Sequence, residues 1–149
     1  MIWNNEADLT TLNQMCKLTI AEQLGIVITA IHPDSIEGTM PVDHRTHQPM
    51  GILHGGASAV LAETLGSIAS YLCLKDQSKE TAVGLNITAD HLRPVSSGIV
   101  KGIAKPIKIG AKIHLWSIEI HNEKGQMVCI AKLSVMVIAK KAGSSNPSG

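Results

Sequence analysis

Aromatic side chains are nearly missing from this 149-residue chain: there is no Phe, and Trp3, Tyr71 and Trp116 are its only aromatic residues. Apolar pockets must therefore be lined chiefly by Ile, Leu and Met. Cysteine is scarce too. Cys16, Cys73 and Cys129 are odd in number and far apart, which excludes a disulfide framework and a CxxC metal or redox motif and suits a reducing cytoplasm. Charge of one sign is also lacking. Thirteen Lys and Arg against twelve Asp and Glu leave a formal +1, so the overall balance offers nothing to nucleic acid or to an anionic membrane. Met1–Glu6 has no basic segment followed by an apolar run, so no secretion signal is read there.

What is present is enough for one core. A hydrophobic content of 44% suits a single domain over residues 1–141, and 142–149, Ala-Gly-Ser-Ser-Asn-Pro-Ser-Gly, reads as a disordered tail. Asp8 precedes an apolar pattern at Leu9, Leu12, Met15 and Cys16, which predicts an N-capped helix ending before Leu24-Gly25. Alternation from Ile26 to Ile31 and a turn at Pro33-Asp34 predict a β-hairpin over 25–41. A polar loop, 43–53, leads to a long helix at about 56–74 that is rich in Ala, Gly and Ser. Strands follow at 81–92, 98–107, 111–121 and 126–139, separated by Gly98, Pro106, Gly110 and Asn122-Glu123-Lys124-Gly125. The order is α+β: one antiparallel sheet around one central helix.

Residues 55–74 are long enough to span a bilayer, but Glu63 near the middle, with Ser58, Thr64, Ser67 and Ser70 around it, favours a buried helix in a soluble protein. A helix apolar on all sides belongs at the centre of a domain. There an ionised carboxylate costs several kcal/mol unless paired, and no Lys or Arg lies within a turn or two. Glu63 is therefore either a functional group, a structural ion-pair member reaching a distant strand, or a residue emerging at the helix rim.

The segment before it narrows the choice. His54-Gly55-Gly56 stands at the helix start, where first-turn amides are unsatisfied and carry the positive end of the helix dipole. Such amides can stabilise a carbonyl oxygen that gains negative charge. Glu63 and Ser67 lie seven and eleven residues past Gly56, so all three share a face. The rise from Gly56 to Glu63 is ~10 Å, too long for both to grip one carbonyl within one chain. A shared site therefore requires the glycine amide of a second copy, and a homodimer.

His47-Gln48-Pro49, Gly51-Ile52-Leu53-His54-Gly55-Gly56-Ala57, Ala62-Glu63-Thr64-Leu65-Gly66-Ser67 and His91-Leu92-Arg93-Pro94, in this order, resemble the hotdog-fold acyl-CoA thioesterases of the phenylacetate-degradation type. Within these they are most like the 1,4-dihydroxy-2-naphthoyl-CoA and enterobactin-proofreading thioesterases. The resemblance covers about 1–139. It implies Glu63 as nucleophile or general base, the Gly55 amide polarising the thioester carbonyl, His54 positioning the thioester, Gln48 holding the carbonyl or water, and Ser67 orienting water or the acyl group. Coenzyme A contacts are implied at Gly84, at His91, Leu92, Arg93 and Pro94, and along Lys108, Ile109, Gly110, Ala111, Lys112 and Ile113.

Local charge agrees with that placement. Between His91 and Ile118 there is no Asp or Glu, while Arg93, Lys101, Lys105, Lys108 and Lys112 supply five cations suited to phosphates. Relatives tend to carry Gly-Arg where this chain has Gly110-Ala111, which weakens or relocates one phosphate contact. No separate cofactor is implied, since coenzyme A is part of the substrate. His44, His47 and His54 lie within eleven residues but lack helical spacing and, Asp43 apart, a completing ligand, so no metal site is read. The partners expected are an acyl-CoA with an aromatic or medium-size acyl group and further copies of the chain, a homodimer and then a dimer of dimers. The alternatives are a noncatalytic acyl-CoA sensor and a hotdog dehydratase.

Overall fold

Asp8 has extended backbone and its carboxylate accepts the Thr11 N–H at 2.7 Å, which starts helix α1, Leu9–Met15. The single N-terminal helix expected from the pattern is in fact two. Thr19 Oγ1 donates to the Cys16 carbonyl at 2.6 Å and accepts from Ala21 N–H at 3.2 Å, and Leu18 takes φ 59°; this local bonding ends one helix and caps the next, α2, Ile20–Gln23.

The computed structural model describes residues 1–141, so the expected tail at 142–149 lies outside the described residues. The hairpin forms as β1, Val27–Ile31, and β2, Ile36–Pro41. Helix α3, Gly55–Cys73, follows, and then β3, Glu80–His91, β4, Ile99–Ile109, β5, Ile113–His121, and β6, Met127–Ala139. They form one antiparallel six-stranded sheet in the order β1-β2-β4-β5-β6-β3. Strands later in the chain, β4 to β6, lie between β2 and β3, so β3 is left at one edge.

Helix α3 packs along one face of this sheet. Leu61, Leu65 and Leu72 are buried against a sheet layer that includes Trp116, Ile118, Ile120 and Leu133. Each such leucine contributes roughly 1.5–3 kcal/mol of transfer free energy. The small residues of the helix explain how closely it sits: a Cβ on Gly66 would lie 2.5 Å from Leu133 Cδ2. Beneath the helix, Ser70 Oγ accepts from Trp116 Nε1 at 2.7 Å and lies 3.0 Å from His114 Nδ1. His114 is a buried strand residue, and its burial lowers its pKa.

One expectation about α3 is corrected. The helix is not covered all round, because Gly56, Glu63 and, in part, Val60, Ser67 and Tyr71 form an open stripe along it. Glu63 sits on that stripe, exposed, with no ion pair among the described residues. No helix of the described residues is long and apolar enough to cross a membrane.

Candidate active site

The loop before α3 is held as a small hairpin. Gln48 N–H donates to Ile52 O at 2.8 Å, His54 N–H to Thr46 O at 2.8 Å, and the buried Thr46 hydroxyl to Pro41 O at 2.7 Å. Gln48 Oε1 accepts the Met50 N–H, so the carboxamide nitrogen remains as its free donor.

His54 is itself the N-cap of α3. Its backbone is extended and its Nδ1 accepts the Gly56 N–H at 2.7 Å. As an acceptor Nδ1 carries no proton, which leaves Nε2–H facing outward. This bond also separates the two glycine amides. Gly56 is satisfied, whereas the Gly55 N–H has no acceptor among the described residues and stands at the positive end of a nineteen-residue helix.

Gly55 lies against β3. A Cβ at Gly55 would sit 2.7 Å from His91 Nε2, so the imidazole covers the bare Cα. Around this contact a cavity of about 360 Å³ is lined by Gln48, Gly55, Ser58, His91 and Arg93, with Ile52, Leu53, Leu92, Pro94 and Val128 supplying apolar wall. That volume is in the range of small-molecule sites. The structure thus brings Gln48, Gly55 and His91–Pro94 together.

Glu63 and Gly84 form a second group. A Cβ at Gly84 would lie 2.6 Å from Glu63 Oε1. Gly84 was expected as a coenzyme contact, and what it touches here is the carboxylate. Ser67 lies one turn beyond Glu63 on the same open stripe. In one chain these groups stay apart from Gly55: Glu63 is eight residues along the helix from it, ~12 Å of rise. Gly84 and His91 are seven residues apart along β3, ~23 Å in extended chain.

The Lys108–Ile113 loop is a third group, at the same end of the sheet as Gly84. Ile113 pairs with Met136 on β6, and Met136 with Val83 on β3. Ile109, Gly110 and Ala111 line a cavity of about 300 Å³ with Asn4, Lys75, Glu80 and His114. Of the five expected cations, Lys101 lies 3.7 Å from Glu37. Arg93, Lys105, Lys108 and Lys112 have no carboxylate partner among the described residues.

Other candidates point elsewhere. A cavity of about 820 Å³ beside Trp3, Asp8 and His32 contains none of the expected site residues. His44 faces Asp43 at 4.0 Å, His47 Nε2 meets Ser96 O at 2.9 Å, and His54 caps α3, so the three rings do not converge. Arg45 holds Asp43 at about pH 2, well below the usual carboxylate range. Burial pushes the Cys73 thiol up to about 11 and raises Cys16 and Cys129 as well, which makes all three poor nucleophiles.

Known proteins resemble this chain along nearly its whole length. Residues 50–129 match the family model described as thioesterase superfamily. The chain is 47% identical to the proofreading thioesterase EntH of Cronobacter sakazakii, over 93% of this chain and 99% of that protein. It is 44% identical to the 1,4-dihydroxy-2-naphthoyl-CoA hydrolase of Escherichia coli K12, over 93% of this chain and all of the relative. A crystal structure of a thioesterase from Haemophilus influenzae superposes with a TM-score of 0.92 at 47% identity, covering 97% of this chain and 100% of the other.

Proposed function

The chain belongs to the thioesterase superfamily and is a thioester hydrolase of the hotdog fold, and on that premise we propose that it hydrolyses acyl-CoA at a site shared by two copies. The observation that carries this reading is the arrangement along β3. Gly55 with His91 lies at one end of the strand, and Glu63 with Gly84 toward the other. β3 is an edge strand with its outer side unpaired among the described residues. An antiparallel pairing of two such edges, centred near Ile87 and Thr88, lays Gly84 of one copy beside His91 of the other. Glu63 then faces the free Gly55 amide across the interface. The same pairing sets the Lys108–Ile113 loop beside the second copy's Arg93, which gives the coenzyme phosphates cations from both chains.

The chemistry follows from the groups. The Gly55 N–H donates to the thioester oxygen and stabilises the charge that develops there. Glu63 either attacks the carbonyl carbon, expelling coenzyme A thiolate and leaving a mixed anhydride for water to cleave, or takes a proton from the water that attacks. A thiolate is a weak base, so its departure makes little demand on a general acid. The Gln48 carboxamide N–H and the His54 Nε2–H donate to the thioester or the water, and Ser67 orients the water or acyl group. Ile52, Leu53, Leu92 and Val128 suit an aromatic or medium-size acyl group, in keeping with the naphthoyl-CoA named for one relative. Dimers pairing into a tetramer and work in the cytoplasm, where unpaired Cys16, Cys73 and Cys129 stay reduced, complete the proposal.

Thiol release from aromatic acyl-CoA tests it. Glu63→Gln is expected to lose at least ~10³-fold in kcat, in line with removal of a nucleophile or base. Hydrolysis at the wild-type rate would remove Glu63 from the mechanism. Oxygen-18 appearing in Glu63 during a single turnover in labelled water selects the anhydride path.

A further inference from the structure

Gly51 and Gly125 have φ of 76° and 75° and open space where a side chain would stand, so turn geometry requires glycine there. Gly84 is the reverse case. Its φ lies outside the left-handed region, so alanine meets no backbone strain, and glycine weakens a strand by comparison with almost any other residue. What a side chain would meet is Glu63: a Cβ would stand 2.6 Å from Oε1 and 3.7 Å from the carboxyl carbon, so the carboxylate would have to move aside.

Two further observations bear on that contact. The register of β3 against β6 slips between Gly84 and Asn86, so Leu85 is an extra residue beside the glycine. Bulges of this kind bend a strand and re-aim what lies on it. Meanwhile the Glu63 carboxylate has no hydrogen bond or ion pair among the described residues. The neighbour the structure gives it is the bare Cα of Gly84. A donor or cation at the same spot would hold its charge and blunt it as nucleophile or base, whereas bare Cα leaves the carboxylate room without that cost.

We infer that Gly84 is a positioning residue for the hydrolysis: its missing side chain, at the bulge in β3, is the space that lets the Glu63 carboxylate lie where it can reach the thioester carbonyl. This rests on Glu63 being the reacting carboxylate. It departs from a coenzyme-contact role, and the two roles separate in kinetics. A lost coenzyme contact raises KM, while a displaced carboxylate lowers kcat.

The test is a cycle of four full-length proteins, wild type, Gly84→Ala, Glu63→Asp and the double variant, assayed by thiol release from benzoyl-CoA. Gly84→Ala is expected to lower kcat on the order of 10²-fold, the effect of an ~1 Å misplacement, with KM within about 3-fold. In the Glu63→Asp background the same substitution is expected to cost less than about 3-fold, because the shorter side chain withdraws from the added methyl. A raised KM with unchanged kcat, or an equal kcat cost in both backgrounds, overturns the inference. The second outcome also covers any general damage to β3 or to its pairing. Wild-type kcat for Glu63→Gln would instead overturn the reading of Glu63 itself, whatever Gly84→Ala does.

Discussion

The two edges of the sheet are built differently. β1 has five residues and a register slip between Ile28 and Ala30. Its outer side is closed by α1, whose Asn13 carboxamide donates to Ile28 O at 2.9 Å and accepts Ile28 N–H at 2.8 Å, as a neighbouring strand would. β3 has twelve residues, carries exposed Val83 and Leu85, and has no such closure among the described residues. Long apolar edges are liabilities that chains ordinarily cover. Here one edge is bonded by the chain's own helix, and the other carries the candidate site residues Gly84 and His91 along it. The difference argues that the open edge is kept for a second copy.

Several changes would break or sharpen this contrast. The largest effect is expected for Leu85→Lys, which puts two cations into a paired β3 edge: sedimentation should show monomer, and kcat/KM should fall on the order of 10²-fold. Val27→Lys, at the sealed edge, should leave both within about 2-fold. Equal responses would dissolve the distinction between the edges. Next comes Asn13→Ala, which leaves the Ile28 amide and carbonyl without a partner. A loss of about 1–3 kcal/mol, read as a Tm lower by several degrees, should come with unchanged kcat below the transition.

The smallest effect lies between the edges, at His114. Burial depresses its pKa, so the unfolded chain binds the proton more readily. Stability is thus fully present above the ordinary histidine value of ~6.5 and declines as pH falls toward the depressed one. A Tm series from pH 7.5 to 5 should fall by a few degrees more for wild type than for His114→Gln. Identical slopes would show that this histidine contributes nothing to the acid response.

Much of the fold was legible before any coordinates. The β3 to β6 boundaries agree with the pattern to within two residues, because Gly98, Gly110 and Asn122–Gly125 punctuate it clearly. The break at Thr19 was not, since its hydroxyl bonds compete locally with a pattern that reads as continuous helix. Glu63 was singled out by its isolation on an uncharged helix, but its exposure could not be read. Its neighbours on the open stripe, Gly56, Val60 and Ser67, are small or apolar, and the surface proposed to cover them belongs to another copy. The Gly84 contact was invisible for a similar reason. It joins residues 21 positions apart and depends on where β3 docks.

The claim that each site draws on two copies has a direct measurement. Glu63→Gln and Gly55→Val should each be inactive as homodimers, the second because its added side chain strikes His91 beside the amide. Co-expression forms mixed dimers in which one site keeps both native residues, and random pairing should restore about a quarter of the wild-type activity per chain. Activity no higher than that of the two parents, with mixed dimers present, would mean that Glu63 and Gly55 do not act across the interface.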